Sequence, residues 1–283
     1  MLTKDKKILI VGLGLIGGSY AEGFTRKGYE VGAITRSRKS VDFALEKGII
    51  ASGTTEVTRD YVSRFDIIIF ALYPHIFIEW LEKYQDYINP GALLTDVTGV
   101  KVSVVYKVQE MLRGDLEFIG AHPMAGREVY GVENADCRIF NGANYIVTPT
   151  GANTPEAIET CRQIGEVLGF ARISQLSPER HDEMIGFLSQ LTHCIAVALM
   201  NCKESHHLVD FTGDSFRDLT RIARINEEMW SELFLLNRDE LLSQMDLFAG
   251  EFDTLRKAIR EGDTDTLKQM MRTSTLRRSY FDK

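Results

Sequence analysis

Short apolar runs alternate with amphipathic stretches through the first half of the chain. Residues 7–11 (KILIV) are continuously apolar, the pattern of a strand buried on both faces. Residues 15–27 carry helical spacing, 29–35 read as a second strand and 39–47 as a second helix. Residues 66–72 (DIIIFAL) and 92–96 (ALLTD) are further strands, separated by a helix near 76–87. Shorter strands fall at 117–121 and 145–149, and a helix over 155–168 leads to a last strand at 170–174. Strands alternating with helices predict a parallel sheet, wound right-handed, with helices on both faces.

The pattern changes at Ser177-Pro178-Glu179. Serine is a side-chain cap, proline fixes φ at the first helical position, and the acid meets the positive end of the helix dipole. From there to residue 283 only helical spacing is found, and Pro178 is the last of six prolines. The chain therefore divides near Leu176, into a sheet domain over 1–176 and an all-helical domain over 177–283. The helix over 179–201 is apolar nearly all round (Met184, Ile185, Phe187, Leu188, Leu191, Ile195, Val197, Leu199). A helix of that kind must be covered on every side. About a hundred residues of helix cover it only partly, so a homodimer formed through the helical domain is expected. The longest uncharged run starts at Ile185 and ends at Lys203. It contains Ser189, Gln190, Thr192 and His193, which suit a buried helix better than a membrane span.

Composition narrows the class. Hydrophobic residues make up 44% and charged residues 26%, a balance that favours a folded soluble protein over a disordered one. A net charge of −7 argues against sequence-independent nucleic-acid binding, which needs a basic face. Cys137, Cys161, Cys194 and Cys202 form no C-x-x-C pair, so reduced thiols in a cytoplasmic setting are expected, with no disulfide frame and no metal site. The first residues, MLTKDKKILIVGLG, have no apolar stretch followed by a small-residue cleavage site, so no secretory leader is expected.

Chemistry enters at Gly12-Leu13-Gly14-Leu15-Ile16-Gly17, a G-x-G-x-x-G directly after a strand and before a helix. The three glycines serve different purposes. Gly12 permits the tight turn, Gly14 lets a pyrophosphate approach the backbone, and Gly17 lets the helix pack on the sheet. Free N–H groups of the helix start, at Leu15, Ile16 and Gly17, then face the phosphates. This context predicts a Rossmann-type doubly wound sheet holding a dinucleotide. The second strand ends in Thr35-Arg36-Ser37-Arg38, where an acid would hold the ribose 2′-hydroxyl of NAD. Two guanidiniums and two hydroxyls suit a 2′-phosphate, so NADP is favoured over NAD. Leu72 and Asp96, at the ends of later strands, are further candidate cofactor contacts.

Of six histidines, His122 stands out. It follows a predicted strand in Gly120-Ala121-His122-Pro123-Met124-Ala125-Gly126, at the sheet edge where cofactor and substrate meet. Imidazole takes a hydroxyl proton near neutral pH, as oxidation of an alcohol carbon requires. The second cluster runs from Ser215 to Arg224. On a helix Asp218 and Arg221 are one turn apart and pair, which aims the remaining guanidinium donors at a planar anion. Arg217, Arg221 and Arg224 would lie along one side of that helix. His193 alone reads as a core histidine. His75, His181, His206 and His207 read as surface or capping residues.

Taken in order, VGLGLIGGS, TDVTGVK, GAHPMAG, SPERHDEMIGFLSQLTH and SFRDLTRIA resemble the prephenate/arogenate dehydrogenase family of tyrosine biosynthesis. The resemblance implies a dinucleotide-binding domain followed by a helical dimerisation domain. It implies NAD(P)-dependent oxidative decarboxylation of prephenate to 4-hydroxyphenylpyruvate, with arogenate as the alternative small-molecule substrate. His122 matches the histidine that draws off the C4 hydroxyl proton, and Arg221 the arginine that binds a substrate carboxylate. Asp218 matches its ion-pair partner, and His193 a second active-site histidine. Arg217, Gln190 and Arg127 are further candidate substrate contacts. Two departures stand out. The family often has serine where this chain has Gly99, so Thr98 or a water would substitute. Arg127 and Glu128 follow HPMAG, where threonine or serine is usual. Another two-domain hydride-transfer enzyme, of the 3-hydroxyacid dehydrogenase or imine reductase type, would need a lysine or similar acid in the helical domain, where this chain offers Gln190 and His193. A non-catalytic dinucleotide sensor would have no use for both His122 and the Asp218–Arg221 pair.

Overall fold

The KILIV run is strand β1 (Lys7–Val11) in the computed structural model, which describes residues 1–204 and 206–282. Ser205 and Lys283, both within the predicted helical domain, lie outside the described residues. After β1 come α1 (Leu15–Arg26), β2 (Glu30–Ile34), α2 (Arg38–Glu46), β3 (Ser52–Thr54) and the short α3 (Arg59–Val62). Next are β4 (Ile67–Phe70), α4 (Pro74–Tyr84), β5 (Leu93–Asp96), α5 (Val102–Met111) and β6 (Glu117–Met124). β7 (Asn144–Thr148), α6 (Pro155–Leu168) and β8 (Arg172–Gln175) complete the sheet region.

The strands form one sheet in the order β3-β2-β1-β4-β5-β6-β7-β8. The first six follow the doubly wound arrangement of dinucleotide-binding folds, whose ligand crevice lies beyond the carboxyl ends of the strands. Each neighbouring pair is parallel except β6 and β7, which run antiparallel with His122 opposite Ile146. That pairing departs from the all-parallel expectation. Alternate residues of the central strands feed two cores: Ile8 and Ile10 pack on one face with Tyr20, Phe24 and Ile164. Leu9 and Val11 pack on the other with Phe77, Trp80 and Val108. Burial on both faces is why these strands read as unbroken apolar runs.

Beyond Ser177, whose hydroxyl accepts the amide of Arg180 and caps α7 (Pro178–Ile185), every element among the described residues is helical. A π-helical segment, Gly186–Leu191, joins α7 to α8 (Thr192–Asn201). α9 (Asp214–Thr220), α10 (Glu227–Leu236), α11 (Arg238–Glu261) and α12 (Thr264–Ser279) follow. The chain gathers into two compact units, Met1–Asn237 and Arg238–Lys283. The first holds the sheet and the helices through α10; in the second, α11 and α12 pack together. Pro178–Asn201 is long and apolar enough to cross a membrane, by length and composition alone. It is incompletely covered within the chain: Ile185, Leu191 and Ala196 are buried, whereas Phe187 and Leu188 stay about half exposed, at 52% and 48%.

Candidate active site

The ends of β1, β4, β5 and β6 stand side by side, and each carries one of the predicted features. At the end of β1, Gly12 has φ +98°, a conformation that residues with a side chain rarely adopt. A Cβ on Gly17 would lie 1.9 Å from the carbonyl oxygen of Gly12, so the turn closes only around glycine. At Gly14 a Cβ would meet nothing within 4 Å, so the turn is open on that side. Gly14 is also the N-cap of α1 and offers no side-chain acceptor to its first N–H groups. Leu72, at the end of β4, lies against Gly12. The turn thus fits a pyrophosphate: open backbone, unsatisfied donors and the positive end of a helix. Arg36 is exposed beyond β2, Ser37 caps α2 by accepting the amide of Ser40, and Arg38 pairs with Asp42 at 2.9 Å.

Asp96 is a correction to the cofactor reading. Its carboxylate is fully buried and turned inward. Oδ2 accepts Lys101 Nζ at 2.6 Å, the Thr98 amide at 3.0 Å and the Thr98 hydroxyl; Oδ1 accepts the Ala121 amide at 3.1 Å. The Lys101 side chain is equally buried, and burial draws its pKa down against the opposing pull of Asp96. Thr98 belongs to the same internal cluster, accepting from Lys101 at 3.1 Å, so it does not stand in for a hydroxyl at position 99. That position lies beside the imidazole: a Cβ on Gly99 would be in ordinary contact with its neighbours, 3.9 Å from His122 Cε1 and 3.4 Å from Leu233.

His122 lies within β6, beyond Ile119 where the pairing with β5 ends, and is half-buried. Its Nδ1 is 2.9 Å from Nε2 of His181, and Nδ1 of His181 is 2.7 Å from Asp182 Oδ1. His181 and Asp182 are buried. The carboxylate of Asp182 also accepts the amides of Lys101 and Val102, each at 2.8 Å, and so caps α5 from a helix some eighty residues away. Burial, then His181 and Lys101, hold His122 well below the usual histidine range; burial chiefly lowers His181 too. The sequence alone reads His181 as a surface or capping residue and gives Asp182 no role. The available signal is their adjacency on the first turns of a helix capped at Ser177, which faces inward on that side.

A second group forms around α10. His193 donates from Nδ1 to the Ser189 carbonyl at 2.9 Å and stacks on Trp230, with ring centroids 3.7 Å apart. His181 and His193 are twelve positions apart, which in a uniform α-helix turns them about 120° from one another. The intervening π turn takes up one extra residue and reduces this to roughly 20°. α10 is fastened near the end of β4, where Glu232 accepts the His75 amide at 2.7 Å and meets its Nδ1 at 2.8 Å.

The arginine cluster differs from expectation. α9 ends at Thr220 and Arg221–Ala223 is a 3₁₀ turn, so no continuous cationic stripe forms. Arg221 pairs with Glu128, six residues after His122, rather than with Asp218. Arg217 is held by Asp214 and the Thr212 carbonyl, and Arg127 by the Asn134 carbonyl. Asp218 is exposed. Gln190 is buried, donating to the Leu233 carbonyl at 3.0 Å and accepting from Asn237 at 2.8 Å, so its amide braces helices and is not free for a ligand. Glu22, Asp136 and Cys137 have metal-like spacing, yet Glu22 is paired with Arg26 and Asp136 with Arg138.

Comparison with known proteins agrees with this architecture. Residues 21–173 match the family model for the prephenate dehydrogenase nucleotide-binding domain, and 177–273 that for the prephenate dehydrogenase dimerization domain. A prephenate dehydrogenase of Lactococcus lactis is 30% identical over 270 residues, covering 93% of this chain and 74% of the relative. The crystal structure of prephenate dehydrogenase from A. aeolicus, in complex with hydroxyphenyl propionate and NAD+, superposes with TM-score 0.89 at 28% identity and full coverage of both chains. Synechocystis arogenate dehydrogenase gives 0.83 at 25% identity, covering 98% of this chain and all of that one. The Rossmann-like nucleotide-binding domain takes a nicotinamide cofactor. The chain belongs to the prephenate and arogenate dehydrogenase family of oxidoreductases.

Proposed function

We propose that the chain oxidatively decarboxylates prephenate to 4-hydroxyphenylpyruvate, using NADP+. The observation that carries this reading is His122 beside the row of strand ends, with no partner for its Nε2 among the described residues. The C4 hydroxyl donates to Nε2 and gives up its proton there as the carbonyl forms. A bound nicotinamide supplies the acceptor for the hydride leaving C4. Loss of CO2 from C1 restores the aromatic ring, so the protein's part is to position, polarise and exclude water. Arg221 takes a substrate carboxylate in place of Glu128, and His193, packed on Trp230, serves as the second active-site histidine. The domains are assigned as 1–176 for the cofactor and 177–283 for substrate and dimerisation. A cytoplasmic homodimer is proposed, with the apolar face at Phe187 and Leu188 covered by a second copy.

A fluorescence assay crossing prephenate and arogenate with NAD+ and NADP+ tests this reading; prephenate with NADP+ is expected to give the highest kcat/KM. A carboxylate near the guanidinium would suit the ammonium of arogenate, and Glu128 occupies that place, so faster arogenate turnover would assign the amino substrate instead. Replacing Arg36 and Arg38 with alanine should reduce kcat/KM for NADP+ and leave that for NAD+ nearly unchanged. Equal losses would place both outside the adenosine pocket. Arg221→Ala should raise KM for prephenate by roughly ten- to a hundredfold, about 1.5–3 kcal/mol for a lost charged hydrogen bond, with a smaller change in kcat. An unchanged KM refutes the carboxylate role.

A further inference from the structure

We propose that His181, anchored by Asp182, is a positioning residue that locks His122 in its Nδ1–H form, leaving the Nε2 lone pair to face the reacting hydroxyl. The inference rests on the reading of His122 given above. It follows from counting donors and acceptors along a three-residue chain. Asp182 already accepts two backbone amides from the start of α5, so its carboxylate is fixed in place and the hydrogen bond with His181 is donated from Nδ1. A neutral His181 then has only a lone pair at Nε2. The 2.9 Å contact with His122 is therefore donated by Nδ1 of His122. That leaves Nε2 of His122 unprotonated in the resting enzyme.

The same chain acts when the proton moves. As the substrate O–H bond breaks and an N–H bond forms at Nε2, His122 becomes cationic while its Nδ1–H remains bonded to His181. Polarisation passes through His181 to the carboxylate of Asp182. Lys101, paired with Asp96, is a nearby buried positive charge: it disfavours a resting imidazolium on either histidine. The groups facing the pair are thus Asp182 from α7, Lys101 at the start of α5 and Asp96 from β5. The arrangement also answers what orients His122 beside Gly99, which has no side chain of its own to bond the ring. The support comes from the opposite nitrogen.

Imidazole nitrogen NMR of the ¹⁵N-histidine-labelled enzyme tests this directly. The His122 signals are expected to show Nδ1 protonated and Nε2 bare at pH 7; the reverse assignment overturns the proposal whether or not the enzyme turns over. In His181→Leu, a tautomer mixture is expected at His122, with kcat reduced at least tenfold and cofactor affinity unchanged. His181→Gln, which keeps an acceptor near the Nε2 position, should restore part of kcat and the Nδ1–H signal. An unaltered His122 spectrum and kcat in a folded His181→Leu enzyme also overturns it. Absence of turnover by the wild-type enzyme with both prephenate and arogenate would instead count against the proposed reaction and leave the tautomer result standing.

Discussion

Replacing His122 with asparagine should lower kcat by roughly 10²–10⁴, the range of a lost general base, while leaving cofactor binding intact. Asparagine keeps a polar side chain of similar reach and removes the basic nitrogen, so the change isolates proton transfer. The sign of the pH dependence follows from burial. A histidine with a depressed pKa remains a free base at pH values where an ordinary one, near 6.5, is partly protonated. Activity is therefore expected to hold through pH 6–7 and to fall only as the pH drops through that lowered value. A kcat/KM profile that falls below pH 7 with an ordinary histidine midpoint would contradict the environment described for His122. Wild-type turnover in His122→Asn would remove it from the mechanism. The same burial ties folding to pH: the unfolded chain binds these protons more readily, so the contribution to stability is full above about 6.5 and fades as the pH drops toward the folded value.

Lys101→Met should cost the fold about 3–5 kcal/mol, because it leaves the buried carboxylate of Asp96 without its cation. Three other donors remain on Asp96, the amides of Thr98 and Ala121 and the Thr98 hydroxyl, but none carries charge. The measurement is the urea midpoint of the variant against wild type. Pairing Lys101→Met with Asp96→Asn should recover part of the loss, since the partners' desolvation is then relieved together. No shift in the single variant would mean that the pair contributes nothing at this position.

Much of the framework is legible in the sequence because it rests on local chemistry. The glycine turn depends on φ and close approach within six residues, and the strands on both-faced burial. β3 escapes notice because Ser52-Gly53-Thr54 has neither length nor apolar pattern. α5 is rich in valine, a poor helix signal, and its start is held by an acid far along the chain. For the same reason Asp218 looks like the natural partner of Arg221: spacing along a helix is visible in sequence, whereas Glu128 reaches Arg221 across the fold. Gln190 looks like a ligand contact because its amide is polar in an apolar helix. Its partners, Leu233 and Asn237, lie more than forty residues on. His181 is the largest loss, since its contact with His122 exists only once β6 and α7 meet.

The capping of α5 by Asp182 bears on how such genes can be recombined. A crossover between relatives at Leu176 looks like a clean cut between modules, yet it would hand the start of a sheet-side helix to a carboxylate inherited from a different parent. Chimeras joined there should succeed only when both parents place that acid and the adjoining imidazole in the same register.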